Sequence, residues 1–347
     1  MMKISAVICE INPLHDGHRY LFSRAKSESD VVIAVMSGNY VQRGECAVYD
    51  KYKRAKDTVF AGADLCVELP FPFSSSSAEY FARAGVHIAE SMGADKLIFG
   101  SECGDTETLR RAAEILNDRP VKNGIAAARA REEYLRENFP DAPESIFSSP
   151  NDILGVEYCR RASIDTMAVK RTEAESATLI RQRLYEKDPG CVGLKKLTEA
   201  EFLHFRALRT PPNDAECQGG VGGRLYNAAF SVNDPEEWLI SASTKRYTNS
   251  RLRRAALFAL FGVKAEELSG VPEFTRLLAA NEKGREYLSS LRGYLKFPVV
   301  TNPSDRYALR GEALDGYLMS ERADKFYTLL SGEKDPAAFS KMHPGIM

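Results

Sequence analysis

The sequence predicts an α/β fold: an open, doubly wound Rossmann-like parallel sheet, followed by a mostly helical C-terminal domain. Residues 31–36 form an uninterrupted apolar run, which is typical of a strand buried on both faces of a sheet. Shorter apolar runs at 4–8, 65–69 and 96–99 alternate with segments of helical character. Strands that alternate with helices in this way pair in parallel, and their carboxyl ends are where ligands are expected.

The remaining elements follow from periodicity and from capping residues. Helices are predicted at 17–27, 51–61, 78–91, 106–117 and 124–138. The serine run at 74–77 is expected to cap the third of these helices. Further on, a helix is predicted to open at Asn151, a strand at 167–169 and a helix near Ser176.

The pattern changes after Pro189-Gly190. Residues 1–188 are predicted to form the α/β domain and residues 189–330 a mostly helical second domain. A loop is predicted from Thr210 to Gly223, which contains Pro-Pro-Asn-Asp and four glycines. Residues 331–347 are polar and contain proline, and they are predicted to be a poorly ordered tail.

Composition limits the class of protein. The 347 residues carry a net charge of −1, so contact with a nucleic acid requires a local basic patch. The seven cysteines are scattered, as is typical of reduced thiols in a cytosol. No signal peptide opens the chain, and no apolar run approaches the roughly 20 residues that span a bilayer. We expect a cytoplasmic protein with no membrane partner and no DNA partner.

The segment from Val7 to Tyr20 contains the first candidate site. A short strand leads into an Asn-Pro turn, and His15 and His18 flank Gly17 at the start of a helix. Free N–H groups at a helix start and the helix dipole favour a phosphate there, and two imidazoles one turn apart can donate to the same anion. Two surface histidines or half of a metal site remain the alternatives. Zinc is less favoured because no third ligand lies nearby in sequence and no C-x-x-C pair occurs.

A second candidate segment runs from Ser176 to Arg181. Hydroxyls of Ser176 and Thr178 near a helix start can bind phosphate, and Arg181 with Arg183 adds positive charge. An ordinary helix cap with solvated arginines is the alternative.

A basic segment at 244–254 is the clearest feature of the second domain. It contains five basic residues, one aromatic residue and no acid. The cations can contact RNA phosphates while the aromatic ring stacks on a base, although a solvated face of a core helix has the same pattern. The candidate RNA-binding residues are Lys245, Arg246, Tyr247, Arg251, Arg253 and Arg254.

The ordered set of motifs resembles one family. Residues 12–18 (Asn-Pro-Leu-His-Asp-Gly-His) resemble the H-x-G-H motif of the nucleotidyltransferase superfamily, also called the HIGH superfamily. The wider set resembles its bacterial tRNA(Met) cytidine acetate ligases. The matching segments are 36–39, 42–45, 68–70, 99–102, 151–158, 170–171, 176–181, 245–248 and 251–252.

The resemblance implies a reaction and a set of site residues. Such enzymes activate acetate with ATP to give acetyl-adenylate and pyrophosphate, then acetylate the wobble cytidine of elongator tRNA(Met). Mg²⁺ is expected to accompany the triphosphate. His15 and His18 are expected to stabilise the reacting phosphate, with Arg181 or Lys170 opposing the charge of pyrophosphate. The ATP contacts of the family fall on Ile8, Cys9, Glu10, Ile11, Asn12, Pro13, Leu14, His15, Asp16, Gly17, His18, Arg19, Tyr20, Leu21, Gly100, Asn151 and Arg171.

Two departures keep other functions open. The family usually has a longer insert before its Ser-Ala-Thr segment, where only residues 172–175 stand here, and residues 218–224 lack an expected acid. A nucleotidyltransferase that adenylates another small acid or a phosphate ester, without tRNA, is the first alternative. A non-catalytic RNA- or nucleotide-binding protein is the second. No metal ligands are assigned, since Asp16, Glu102 and Asp152 are more often turn or cap residues.

Overall fold

A computed structural model describes residues 2–118, 127–172, 175–188, 190–244, 247–295, 297–335, 338 and 342–346. The strands are β1 (Ile4–Cys9), β2 (Val31–Ser37), β3 (Tyr40–Val41), β4 (Glu45–Cys46), β5 (Leu65–Leu69), β6 (Lys96–Ser101), β7 (Asp165–Lys170), β8 (Thr275–Ala280), β9 (Val299–Val300) and β10 (Gly345–Ile346). No helix in these ranges is both long and apolar enough to cross a bilayer.

Helices surround the main sheet and build the rest of the molecule. They are α1 (Asp16–Glu28), α2 (Lys51–Phe60), α3 (Ala78–Ser91), α4 (Thr106–Asn117), α5 (Ala127–Asn138), α6 (Ser145–Ser148), α7 (Pro150–Arg161), α8 (Ala177–Lys187), α9 (Leu194–Ala207), α10 (Val221–Ser231), α11 (Pro235–Ala242), α12 (Asn249–Phe261), α13 (Ala265–Ser269), α14 (Glu282–Ser290) and α15 (Gly311–Ser331). Short 3₁₀ helices occupy Phe73–Ser75, Ala215–Cys217 and Pro303–Ala308.

The main sheet confirms the predicted fold class. Its strands run in the order β10-β8-β5-β2-β1-β6-β7, with β9 also on β8, and the five strands from β5 to β7 are parallel. The chain starts at β1 and adds β2 and β5 on one side, then β6 and β7 on the other. This arrangement creates a topological switch point between β1 and β6, where open α/β sheets bind ligands.

The helical segment contains a second hydrophobic core, between α9, α10, α11 and α12. Trp238 lies at its centre, fully buried, and its indole N–H donates to the carbonyl of Leu225 at 2.9 Å. Helix α12 joins this core to the sheet, because Phe258 and Phe261 pack in the core around the sheet, with the rings of Phe261 and Phe71 5.0 Å apart. We call α9 to α12 the helical bundle.

The chain after the bundle returns to the sheet, which the sequence analysis did not predict. Strand β8 pairs antiparallel with β5, and β10, inside the predicted tail, pairs with β8. These strands lie beyond the domain boundary drawn at residue 189, and that boundary stays a prediction. Helix α5 begins at Ala127, and the predicted positions 124–126 lie outside the described residues. Ser77 stands at the start of α3 as predicted, but its side chain makes no capping hydrogen bond.

The predicted loop from Thr210 to Gly223 ends earlier than expected, because α10 begins at Val221. Two adjacent glycines in this helix have opposite surroundings. A Cβ on Gly222 would lie 1.8 Å from the carbonyl oxygen of Pro212, whereas a Cβ on Gly223 would meet nothing within 4 Å.

These surroundings predict opposite effects of one substitution. Gly223→Ala is expected to raise the free energy of unfolding by about 0.5–1 kcal/mol through helix propensity. Gly222→Ala is expected to lower it, since the close backbone contact must open. Urea unfolding of the two variants measures both effects, and equal shifts in the two would contradict this packing.

Candidate active site

A cleft opens at the switch point, at the carboxyl ends of β1 and β6. Residues from the histidine turn form one wall, and residues that follow β6 and β7 form the other. Predicted site residues that line the cleft are Ile8, Cys9, Glu10, His15, Gly17, His18, Tyr20, Leu21, Gly100, Asn151 and Arg171. The structure therefore brings together residues more than 150 positions apart in the sequence, namely His15 and Arg171.

The start of α1 faces this cleft. His15 stands at the N-cap position, and no side chain caps the first turn. Asp16 and Gly17 follow as the first helical residues, and their backbone N–H groups lie where a helix has no internal acceptors. An uncapped helix start with its positive dipole end in a cleft suits an anion such as phosphate.

The two histidines lie face to face. Their ring centroids are 3.8 Å apart, with an interplanar angle of 28°. Burial, followed by the charges of His15 and Arg171, lowers the pKa of His18 to about 3. Burial and Arg171 likewise lower the pKa of His15 below its ordinary value of 6.5. Both rings are therefore neutral at pH 7, and each carries one N–H donor.

The surroundings of the ring nitrogens indicate which nitrogen carries that hydrogen. Nδ1 of His15 and of His18 is buried and has no hydrogen-bond partner among the described residues, whereas Nε2 is not enclosed in this way. A buried N–H without an acceptor is rarer than a buried acceptor without a donor. We therefore assign the hydrogen to Nε2, which leaves both donors open to the cleft.

Protonation of these rings is linked to folding. Because the folded chain depresses both pKa values, the unfolded chain binds more protons below its ordinary histidine pKa of 6.5. We expect full stability from these groups above pH 6.5 and a falling free energy of unfolding as the pH drops from there toward about 3. Urea titrations just above and just below pH 6.5 measure this loss. The His18→Gln variant has no imidazole at this position, so it should lose less stability between the two pH values. If its pH dependence equals that of the unmodified protein, the lowered pKa of His18 is contradicted.

The opposite wall carries a polar group built on the ends of β6 and α7. Asn151 Nδ2 donates to Glu102 Oε1 at 2.6 Å, and Arg171 Nε lies 3.5 Å from the same oxygen. The charge of Arg171 also acts on both histidines. This wall therefore places a guanidinium and an amide across the cleft from the helix start.

Asp152 supports this wall from behind. Its carboxylate is fully buried and accepts from Ser101 Oγ at 2.5 Å, Glu102 N at 2.8 Å and Cys103 N at 3.0 Å. With three donors already bound, it fixes the loop after β6. These three hydrogen bonds give Asp152 a structural role in this loop.

Several residues of the predicted turn do not line the cleft. Asn12 is buried, and its Oδ1 accepts from the backbone N–H of Val48 at 2.9 Å. Ile11 is fully buried with φ of 49°, a left-handed conformation that costs a β-branched residue about 1–3 kcal/mol. These two residues hold the turn in place. Pro13, Leu14, Asp16 and Arg19 also lie outside the cleft lining.

The second predicted phosphate-binding segment lies beside the cleft. Arg181 Nη1 donates to the backbone carbonyl of Asn12 at 3.0 Å, and its Nη2 donates to Thr178 Oγ1 at 3.2 Å. Ser176 Oγ accepts from Leu179 N at 3.3 Å, which is an ordinary helix cap. None of Ser176, Thr178 and Arg181 lines the cleft. Their predicted phosphate contacts stay predictions, and in this geometry Arg181 holds the histidine turn.

Sequence reasoning missed other residues that line the cleft. Gln42 and Arg43 belong to the hairpin formed by β3 and β4. Lys170, which the resemblance offered as a charge for pyrophosphate, also lines the cleft at the end of β7. The apolar floor consists of Phe81, Phe99, Pro150, Leu154, Tyr158 and Val169, and Thr172 lies at the rim. Gln42, Arg43 and Phe99 do stand in family-like motifs, and this was the available signal. The floor residues carry only an apolar pattern, which does not distinguish a cleft from a core.

The structure corrects the stacking role expected of Tyr247. Its ring is buried, with 7% exposed, and its hydroxyl donates to the carbonyl of Gly219 at 2.6 Å. The ring therefore packs in the helical bundle and offers no free face to a base. Lys245 and Arg246 lie outside the described residues.

The three arginines of the basic segment have protein partners. Arg251 Nη2 donates to the carbonyl of Gln218 at 3.3 Å, Arg254 Nε lies 3.1 Å from Glu216 Oε1, and Arg253 Nε lies 3.8 Å from Glu45 Oε1. Their RNA contacts stay predictions.

Helix α12 nevertheless lies against the cleft hairpin. Gly44 has φ of +73°, and a Cβ there would lie 2.5 Å from the backbone nitrogen of Arg254. The hairpin that carries Gln42 and Arg43 is therefore held between the cleft and the basic segment.

Comparison with known proteins agrees with this geometry. A model of the HIGH nucleotidyltransferase family matches residues 2–206 and 200–341. The fold, the switch point and the histidine pair thus define a nucleotidyltransferase of the HIGH type. Thermotoga maritima TmcAL bound with α-thio ATP has a TM-score of 0.89 at 30% identity, and its apo form has 0.91, with all of both chains covered.

The particular family follows from the sequence relatives. The tRNA(Met) cytidine acetate ligase of Thermoanaerobacter sp. strain X514 is 33% identical over 404 aligned positions that cover 99% of each chain. The chain belongs to the tRNA(Met) cytidine acetate ligase family. Since the alignment is longer than the 347 residues of this chain, the relative carries segments that this chain lacks.

Proposed function

We propose that the protein is an ATP-dependent ligase that acetylates the wobble cytidine of elongator tRNA(Met) to N4-acetylcytidine through acetyl-adenylate. The main support is the uncapped start of α1 with its two neutral histidines, across the cleft from Arg171. The names of the relatives supply the substrates. Free cysteines throughout the chain fit a reducing cytoplasm.

In the first step, an acetate oxygen attacks the α-phosphorus of ATP, and the bond to the β-phosphate breaks to release pyrophosphate. Negative charge then gathers on oxygens of the phosphate chain. Nε2–H of His15 and His18, the backbone N–H group of Gly17, and the guanidinium of Arg171 are the donors for these oxygens.

In the second step, the N4 amine of cytidine attacks the acetyl carbon, the bond to AMP breaks, and N4 loses a proton. The reacting base must reach the carboxyl ends of β1 and β6. The hairpin and the helical bundle flank that end of the sheet, so we place the tRNA on their side.

Mg²⁺ would accompany the triphosphate at this site, as the resemblance implies. Glu102 is paired with Asn151 and Arg171, and Asp16 lies outside the cleft. No cluster of three or more His, Cys, Asp or Glu side chains within the described ranges is arranged to hold a metal. The ion would therefore keep phosphate and water as most of its ligands and offset phosphate charge.

Release of pyrophosphate from ATP by the purified protein tests the proposal. We expect release with acetate, little with other short acids, and none without an acid. A second assay with elongator tRNA(Met) should give N4-acetylcytidine. Release that depends on a different acid would contradict the proposal and favour adenylation of that acid.

A further inference from the structure

The cleft has two cationic ends with different surroundings. At one end, the charge of Arg171 acts on His15 and His18. At the other end, Arg43 lies close to Glu10, where its charge opposes the rise in pKa that burial causes. Arg43 is not among the charges that lower the pKa of His15 or His18. The phosphate donors are therefore gathered at the Arg171 end, which leaves the Arg43 end open to a different part of the substrates.

The Arg43 end contains both a hydrogen-bond acceptor, the carboxylate of Glu10, and a hydrogen-bond donor, the guanidinium of Arg43. Glu10 Oε1 accepts from the backbone N–H of Gln42 at 2.6 Å, and Oε2 makes no hydrogen bond within the described part of the chain. Arg43 is exposed in the cleft wall, and its guanidinium has no ion pair or hydrogen bond with any described residue. By contrast, the cleft cations Lys170 and Arg171 already contact the loop after β6.

This end is also the one that faces the helical bundle. Gly44 packs on the backbone of Arg253 and Arg254, and Glu45 lies 3.8 Å from Arg253. An RNA loop held near the basic segment would therefore reach the cleft over Arg43.

We infer that Glu10, Gln42 and Arg43 form the subsite that recognises the edge of the acceptor cytosine. This inference rests on the proposed function, and it gives Glu10 a contact with the base in place of the ATP contact that the resemblance implies. The carboxylate of Glu10 accepts from the N4 amine, and the guanidinium of Arg43 donates to N3 and O2. Glutamate is a suitable acceptor for cytosine N4, and bases splayed from RNA loops are recognised on this edge. Uracil presents O4 in place of the amine and N3–H in place of N3, so it mismatches both groups.

Binding of two RNA hairpins tests the subsite without any chemistry. The probes are the anticodon stem-loop of elongator tRNA(Met) with cytidine or with uridine at the wobble position. The unmodified protein should bind the cytidine loop about tenfold more tightly or better, the range of one good bidentate contact. Arg43→Gln should bring this ratio near one. Arg43→Lys should do nearly the same, because lysine keeps the charge but lacks the planar fork.

The matched control is Arg129→Gln, on α5, where the arginine side chain is 77% exposed and, within the described residues, pairs with its helix neighbour Glu133 alone. It should leave the cytidine preference unchanged. Full preference in Arg43→Lys would mean that Arg43 acts as a point charge on RNA phosphate, which overturns the inference. An unmodified protein without a cytidine preference also overturns it.

Kinetics separate this inference from the proposed function. Arg43→Gln should lower acetyl transfer to tRNA at least about tenfold more than it lowers acetate-dependent pyrophosphate release. Equal losses, with a raised KM for ATP, would assign Arg43 to the phosphates instead and overturn the subsite. If the unmodified protein releases no pyrophosphate with acetate, the proposed function fails, while the binding ratio still reports on the subsite.

Discussion

Replacement of His18 by alanine is expected to lower acetate-dependent pyrophosphate release by about 10²–10³-fold, the usual cost of one preorganised donor at a developing charge. The ring of His18 lies against that of His15, and its depressed pKa keeps it neutral. Its contribution is therefore a fixed N–H, and kcat should fall more than KM for ATP rises. The measurement is steady-state pyrophosphate release at saturating ATP and acetate.

Two further substitutions identify the donating atom. The amide nitrogen of glutamine can occupy the position of Nε2, and that of asparagine the position of Nδ1. Since Nδ1 of His18 is buried without a partner, His18→Gln should keep more activity than His18→Asn. The reverse order would contradict the assignment of the hydrogen to Nε2.

The control is His204→Ala. His204 lies on α9 in the helical bundle, away from the cleft lining, and it is also partly buried with a lowered pKa. It should retain nearly full activity. A comparable loss there would mean that alanine acts through folding and not through the cleft.

The sheet and one wall of the cleft were predictable because their signals are local. Residues 31–36 are apolar without interruption, and the Asn-Pro turn with its histidines lies within one βα unit. Such a unit positions its loop at the carboxyl end of its strand whatever the rest of the chain does. Gly100 lies at the carboxyl end of β6 and follows from the same rule, whereas Asn151, at the start of α7, was expected only from the family resemblance.

Strand β8 shows why other parts were not predictable. Its sequence, Thr-Arg-Leu-Leu-Ala-Ala, is rich in leucine and alanine, which favour helices. It becomes a strand because it pairs with β5 in a fully buried place, and that partner lies about 210 positions earlier. Tertiary burial overrides local propensity here.

The prediction that Tyr247 stacks on an RNA base was wrong for a related reason. An aromatic residue among cations has the same pattern whether its ring faces RNA or the core. Only the bundle around Trp238, and the hydrogen bond to Gly219, decide that the ring faces inward. Arg43 shows the reverse error, because it lines the cleft although it was not predicted to be a site residue. Its place there depends on the packing of Gly44 against α12.

Asp324→Asn is expected to lower the free energy of unfolding by about 3–5 kcal/mol, the usual cost of leaving a buried charge unpaired. Four charged side chains lie buried together: Lys51, Glu68, Arg276 and Asp324. Lys51 Nζ is 2.7 Å from both Glu68 Oε1 and Asp324 Oδ2, and Arg276 Nη1 is 2.9 Å from Asp324 Oδ2. The group is neutral as a whole, and loss of one carboxylate leaves two cations facing one anion.

This cluster also explains how the C-terminal part is held on the sheet. Its members come from α2, β5, β8 and α15, and Asn39, just after β2, donates to Asp324 Oδ1 at 2.9 Å. Burial opposes the charge of Arg276, yet Glu68 and Asp324 raise its pKa above the ordinary value. Arg276 therefore stays charged at neutral pH. The ion pairs of the cluster stabilise the contact of β8 and α15 with α2 and β5.

A double-mutant cycle separates pairing from general disruption. Lys51→Met combined with Asp324→Leu removes one charge of each sign and leaves Arg276 with Glu68, 3.5 Å apart. The double variant should be more stable than the sum of its two single losses predicts, with a coupling of about 0.5–3 kcal/mol. Asp57→Asn is the matched control, because Asp57 pairs with Lys53 on the exposed side of α2 at 3.4 Å. That change should cost about 0.5 kcal/mol or less, since exposed ion pairs contribute little. Additive losses in the cycle would show that the four charges are not one unit, and that packing alone holds α15 on the sheet.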